Sequence, residues 1–275
     1  MKIKLVVTDL DNTVVGEDNL ISQRTAEAFR RAKEQGVHVA VATGRSLDEG
    51  WDQCVALGAS EYVIALTGCQ LYDVAGKQDV FRHTLSLEQA VEIGNILHEY
   101  PDVYTQLYWK GDVYIEPNSE KLMKMMRFPG GYEEYKRRFV TVVDSLAKYQ
   151  REQKWPGEKY FFVASTVGQF REIRDRLQEI EGLYLTAAYQ TGLEILPWGS
   201  DKGTALRALR EHLKVKKEEV MVLGDSENDI QMFEEGGFCV AVDNAFQSLK
   251  DRADYIAPSC PDDGAAYAVE KFVLG

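Results

Sequence analysis

Short apolar runs separated by stretches of helical periodicity dominate both ends of the chain. Ile3 to Thr8 (IKLVVT), Val37 to Ala42 (VHVAVA) and Tyr62 to Leu66 (YVIAL) are nearly continuous apolar stretches of strand length, the pattern of strands buried on both faces of a parallel sheet. Between the first two, Thr25, Ala28, Phe29 and Ala32 share one face of a helix predicted over 22–35, with Ser22 placed to cap it and Gly36 placed to end it. The alternation returns late in the chain, with a helix over 203–213, a strand at Val220 to Leu223, a helix through Ile230 and Phe233, a strand at Phe238 to Val242 and further such material to Val273. Repeated strand and helix units predict an α/β fold built on a doubly wound, mainly parallel, Rossmann-like sheet.

The middle of the chain reads differently. Thr105 to Trp109 and Asp112 to Glu116 flank Lys110-Gly111 as a predicted antiparallel hairpin, preceded by a helix over 87–99. A helix over 169–180 sits between an aromatic strand, Tyr160 to Ser165, and the strand pair Leu183 to Ala187 and Gly192 to Leu196. Hairpins mixed with helices predict an α+β module inserted after the third strand, with edges near Phe81 and Glu194. The expected organisation is a core domain of residues 1–80 and 195–275 interrupted by an inserted domain of residues 81–194. No internal repeat or low-complexity tract is visible, and the basic run Lys136-Arg137-Arg138 reads as a solvated helix face.

Composition narrows the function classes. Apolar residues at 45% and charged residues at 28% of 275 are ordinary globular values, and the net charge of −12 repels polyanions, so neither nucleic acid nor a membrane surface is an expected partner. No apolar run approaches the ~18 residues of a membrane span. Asp9 interrupts the opening run before a signal-peptide apolar region can form, and a cytoplasmic protein, monomeric or weakly dimeric, is expected. Cys54, Cys69, Cys239 and Cys260 are too widely spaced to suggest a disulfide framework or a zinc site.

Four short segments carry candidate chemistry. Asp9-Leu10-Asp11-Asn12-Thr13 ends the first strand; if the chain stays extended, Asp9 and Asp11 point the same way at the carboxyl edge of the sheet, where ligands of such folds bind. Thr43-Gly44-Arg45 ends the second strand and offers a hydroxyl and backbone N–H groups to a phosphate near a helix start. Lys202, in Ser200-Asp201-Lys202-Gly203-Thr204, opens a helix, and an amine beside strand-edge acids is suited to neutralise a phosphoryl group; no P-loop pattern is present. Gly224-Asp225-Ser226-Glu227-Asn228-Asp229 follows the VMVL strand and supplies further carboxylates suited to a hard cation such as Mg²⁺. Taken singly, each has an ordinary explanation as a turn or a helix cap.

In this order, and each at a strand end or helix start, the four segments resemble the haloacid dehalogenase superfamily, and within it the Cof-type sugar phosphatases, whose cap domain is inserted after the third strand. The resemblance spans the whole chain and includes Asp243-Asn244-Ala245 and Asp263-Gly264. It implies a Mg²⁺-dependent phosphatase acting on a small phosphorylated metabolite, a sugar phosphate, with a sugar phosphomutase of the same superfamily as the alternative. In that reading Asp9 is the nucleophile that forms an aspartyl-phosphate, and Asp11 is the general acid and base, its pKa held above that of Asp9. Thr43, Gly44 and Lys202 cradle the phosphate. Arg45, Thr67 and Gly68 are candidate substrate contacts. Asp9, Asp11 through its carbonyl, Asp225, Asn228 and Asp229 surround the ion. Asn12, Thr67 and Asp243 depart from the family pattern, which often has Gly, Asn and Gly there. The cap is expected to set specificity, with Tyr108, Trp109, Trp155, Lys159, Tyr189 and Trp198 as candidates because sugar faces stack on aromatic rings.

Overall fold

The computed structural model describes residues 2–58, 60–124 and 131–275, apart from the side chains of residues 188 and 189. The chain divides into two compact units, Met1–Arg82 with Ser200–Gly275, and His83–Gly199.

The first unit begins with the predicted alternation. Strands β1 (Leu5–Thr8), β2 (His38–Ala42) and β3 (Tyr62–Ala65) run parallel, linked by helices α1 (Gln23–Glu34) and α2 (Leu47–Leu57). Ser22 Oγ accepts from the Thr25 N–H at 3.0 Å to cap α1, and Ser46 with Glu49 closes a capping box on α2. Two antiparallel strands, β4 (Gln70–Asp73) and β5 (Gln78–Arg82), extend the sheet edge. β5 is largely exposed, and β4, though Gln70 and Leu71 are buried, begins and ends on a polar residue, so no apolar run announces either.

The second unit contains α3 (Leu87–His98), β6 (Tyr104–Trp109), β7 (Asp112–Ile115), α4 (Pro117–Met123), α5 (Tyr132–Phe139), β8 (Val140–Val142), α6 (Leu146–Gln153), β9 (Lys159–Val163), α7 (Val167–Leu177), β10 (Leu183–Tyr189) and β11 (Gly192–Pro197). Its sheet has the order β10-β11-β9-β6-β7-β8, antiparallel except between β7 and β8. The β6–β7 turn places Lys110 and Gly111 at φ of 52° and 91°, the doubly left-handed turn that matches strand twist. Ile93, Leu146 and Ile173 from α3, α6 and α7 join Leu107, Tyr160, Phe162 and Leu193 of the sheet in one apolar cluster. The boundaries differ slightly from those expected: Phe81 lies inside β5 of the first unit, and Glu194 lies inside β11 of the second. Lys136 of the basic run pairs with Glu120.

The chain then returns to the first unit through α8 (Lys202–His212), β12 (Val220–Gly224), α9 (Ile230–Glu235), β13 (Phe238–Val242), α10 (Gln247–Lys250), β14 (Tyr255–Ala257) and α11 (Gly264–Val269). The finished sheet has the order β14-β13-β12-β1-β2-β3-β4-β5. Val6, Val39 and Leu223 face α1 and α11, while Leu5, Val7 and Val222 face α8 and α9, so strand alternation feeds two apolar layers. β1 lies between β2 and β12, and the connections diverge there, the arrangement that in such sheets puts ligand sites at the carboxyl ends of these strands. Among the described residues, no helix is long and apolar enough to cross a membrane. Cys54, Cys69 and Cys239 are buried, and Cys260 is half-buried.

Tyr160, wholly buried on β9, donates its hydroxyl to Gln150 Oε1 at 2.7 Å and lies 3.1 Å from the Ala90 carbonyl, which ties α6 and α3 to the sheet. Tyr160→Phe leaves the buried Gln150 oxygen short of a donor and is expected to cost about 1–3 kcal/mol. The measurement is the urea midpoint at constant m-value, and an unmoved midpoint would show that the hydroxyl contributes nothing.

Candidate active site

The ends of β1 and β12 meet at one point. The Asp9 N–H donates to the Leu223 carbonyl at 3.0 Å, which sets Asp9 beside the loop that follows β12. Gly224 ends that strand, and a Cβ there would lie 2.5 Å from Asp229 Oδ2. Its absence lets the Asp229 carboxylate fold back over the strand end, where Oδ2 accepts from the N–H groups of Asp225 and Ser226 at 3.0 and 3.1 Å. Asp201 caps α8 by accepting from the Thr204 N–H at 2.7 Å, so Lys202 is the first helical residue. Its Nζ donates to Asp9 Oδ1 at 2.6 Å, Asp229 Oδ1 at 2.6 Å and Asn228 Oδ1 at 3.1 Å.

The charged centre of this arrangement is out of water. Lys202 and Asp229 are fully buried, and Asp9 and Asp225 are 5% and 6% exposed. A buried ammonium persists only if its protons are taken up and its charge is matched, and the three bonds do both. The charges do not balance, because oxygens of Asp9, Asp225 and Asp229 gather within 4.8 Å of one another around one lysine. Burial pushes the Asp9 carboxyl well above its usual range, with Lys202 pulling it back. Burial and the neighbouring Asp229 charge push Asp225 up to about 7. For Lys202, burial disfavours the ammonium, but the charges of Asp229 and Asp9 outweigh it and hold the group above its ordinary value. Both Asp229 oxygens and the Asn228 oxygen are taken by protein donors, whereas among the described residues the Asp225 carboxylate meets no side-chain donor, only its own backbone N–H. Asp225 and Asp9 are therefore the hard oxygen donors best placed to accept a divalent cation, and a surplus of buried negative charge fits one.

Asp11 is placed differently from the expectation of an extended segment. Strand geometry stops at Thr8; the Val14 and Val15 N–H groups both donate to the Leu10 carbonyl, at 3.0 and 2.8 Å, and Asn12 sits at φ 58°. In this turn the Asp11 carboxylate, about half exposed, leaves the three-carboxylate cluster and is held by the Arg45 guanidinium. Thr43 is fully buried at the end of β2, with Oγ1 accepting from the Arg45 N–H at 3.1 Å. The loop after β3 lies against it: the Thr67 and Leu66 N–H groups donate to the carbonyls of Thr43 and Arg45 at 2.9 and 2.8 Å. Gly68, at φ 104°, has a packing role, since a Cβ there would stand 2.2 Å from the Asp201 carbonyl oxygen. The segments holding Gly44, Thr67 and Lys202 are thus locked side by side.

Two asparagines that side-chain chemistry alone does not single out also matter. Asn244 donates to the Asn12 carbonyl at 2.8 Å and accepts from the Cys260 N–H at 2.7 Å, joining the loops after β1 and β14. Asn19 accepts from Arg45 at 2.7 Å. Asp243 points to the surface, 3.3 Å from Lys250. Of the aromatic candidates in the second unit, Trp109 and Trp155 stack on each other at 5.3 Å, and Trp155 packs into the apolar cluster. Lys159 is buried in an ion pair with Glu194 at 2.7 Å, with its ammonium over the Tyr108 ring. Trp198 is largely exposed, and the Tyr189 side chain lies outside the described residues.

Comparison with known proteins agrees with this architecture. The chain is 27% identical over 272 residues to the 5-amino-6-(5-phospho-D-ribitylamino)uracil phosphatase YcsE of Bacillus subtilis, covering 99% of this chain and 96% of that protein. It is also 27% identical to a phosphoglycolate phosphatase of Methanothermobacter thermautotrophicus, covering 98% of this chain and 99% of that one. Among solved structures, a haloacid dehalogenase-like hydrolase from B. subtilis shares the fold with a TM-score of 0.87 at 22% identity, over 98% of this chain and all of the other. A Thermotoga maritima protein superimposes with a TM-score of 0.79 at 27% identity, over 98% and 97% of the two chains. The family model for haloacid dehalogenase-like hydrolases matches residues 6–269, a span that holds the acids after β1 and β12, the lysine that opens α8 and the whole of the inserted unit. The chain belongs to the haloacid dehalogenase-like hydrolase family.

Proposed function

We propose that this hydrolase is a Mg²⁺-dependent phosphatase that releases inorganic phosphate from a small phosphorylated sugar or polyol through an aspartyl-phosphate on Asp9. The observation that carries the reading is the buried ammonium of Lys202 bonded to Asp9 beside the buried Asp225 carboxylate, which no side-chain donor holds among the described residues. The names of the relatives agree with it, since one acts on a phosphorylated ribityl compound and another on phosphoglycolate.

Asp9, the Asp11 carbonyl and Asp225 would hold the ion, with Asp229 and Asn228 acting mainly by fixing Lys202. Bound Mg²⁺ supplies positive charge that offsets repulsion between an anionic nucleophile and an anionic phosphate. The Asp9 carboxylate attacks phosphorus as the bond to the alcohol oxygen breaks, and Asp11 gives that oxygen its proton. Asp11 then takes a proton from the water that attacks the aspartyl-phosphate, and Asp9 and phosphate are released. Thr43, Gly44 and Lys202 cradle the nonbridging oxygens. All three Lys202 protons are engaged in the resting site, so a phosphate contact replaces one of those bonds. The inserted unit selects the leaving group in this reading.

A screen of phosphorylated sugars, polyols, nucleotides and cofactors with Mg²⁺ is expected to release inorganic phosphate, with activity lost on chelation and reduced at least ~10³-fold by Asp9→Asn. An unchanged rate in that variant, or isomerised product without free phosphate, overturns the phosphatase reading.

The surplus of buried carboxylate also sets a pH dependence. Asp225 holds its proton to about pH 7 in the folded protein but to about 3.8 when exposed. Between those values the unfolded chain binds fewer protons, so folding stability falls as pH rises. Thermal unfolding in chelator is expected at lower temperature at pH 7.5 than at pH 5.5, with Mg²⁺ narrowing the gap. The same gap with and without the ion would show that Asp225 is not its ligand.

A further inference from the structure

The way Asp11 is held goes beyond the proposed chemistry and rests on it. A general acid and base acts through one oxygen aimed at the leaving group, so the torsions of its side chain decide whether it works. The Asp11 backbone does not supply that direction, because the extended strand has already given way to the turn at Leu10 and Asn12. The direction comes from Arg45. Its Nε donates to Asp11 Oδ2 at 3.0 Å and its Nη2 to Oδ1, so both oxygens are gripped by one planar group.

Arg45 is itself fixed. Its N–H donates to Thr43 Oγ1, its carbonyl accepts from Leu66, and its Nη2 also donates to Asn19 Oδ1 at 2.7 Å. Asn19 is in turn bound to its own loop, donating its N–H to the Gly16 carbonyl at 2.9 Å. Only about a quarter of the Arg45 side chain is exposed, against about half of Asp11. The guanidinium is thus the better buried, better anchored member of the pair.

We propose that Arg45 is a positioning residue for Asp11, gripping its carboxylate in one orientation and yielding one oxygen to the leaving group, rather than a ligand of the substrate phosphate. The two roles separate by leaving group. A p-nitrophenolate departs without a proton, whereas an alkoxide needs one, and kcat/KM reports the step in which the leaving group departs. In Arg45→Gln, kcat/KM for an alkyl monoester such as glycerol 3-phosphate is expected to fall at least ~30-fold more than kcat/KM for p-nitrophenyl phosphate, within the ~10²–10⁴ range of general acid catalysis. Arg45→Lys, which keeps the charge without the fork, should show the same preference. If Arg45 binds the phosphate, or merely supports the fold, both substrates lose equally and the inference is overturned. Should Arg45→Gln fail to fold, Asn19→Ala removes only the second anchor, and a selective alkyl loss of about fivefold is expected against an equal loss on both substrates. A wild-type enzyme inert toward every phosphomonoester would sink the phosphatase reading itself, an outcome distinct from either result.

Discussion

The site depends on a single buried ammonium. Lys202 reaches the centre of the sheet edge with no exposure, and three oxygens from Asp9, Asn228 and Asp229 take up its three protons. Desolvating an ammonium costs several kcal/mol, and it is tolerable here only because charge and geometry are matched. That requirement fixes the surroundings. Asp229 must fold back over a glycine, Asp201 must start the helix one residue earlier, and the loop after β3 must let the Asp201 carbonyl approach within a distance that no side chain allows.

Charge matching is deliberately incomplete. One lysine among three carboxylates leaves Asp9 and Asp225 with raised proton affinity, a state that is unfavourable for the empty site and favourable for a cation. Asp229 and Asn228 spend their oxygens inside the protein, which leaves Asp225 as the buried acid after β12 that a cation would meet in the proposed reading. Asp11 stands apart from both groups on the opposite flank, tied to Arg45. Two carboxylates two residues apart in the chain thus have different neighbours, one buried with an ammonium and one half-exposed with a guanidinium.

Much of the framework is legible in the amino-acid sequence because strands buried on two faces must be continuously apolar, and strand ends then locate Asp9, Thr43 and Asp225 without further information. β4 and β5 escape that logic, since β5 is an exposed edge that imposes no apolar run and β4 beside it begins and ends on a polar residue. The alternation rule also stops where the strand does. Nothing local in Asp9-Leu10-Asp11 shows that the chain turns at Leu10 or that Arg45 waits for the second acid, because the turn is closed by hydrogen bonds from Val14 and Val15. Gly68 has the residue type of a ligand contact, but its reason is a backbone more than a hundred residues away.

The order of the strands bears on how the protein is made. β1 is central in its sheet, yet β12, one of its two neighbours, begins at Val220, after the whole inserted unit. As the ribosome delivers the chain from its N-terminus, every strand of the insert is available before β1 gains that partner and before Asp9 has its lysine. The insert can therefore close on itself first, while the first part of the core waits with an open sheet edge for residues that translation supplies last. A stall between Gly199 and Lys202 would leave Asp9 without its counter-charge, making the last quarter of the chain the stretch on which safe folding of the first depends.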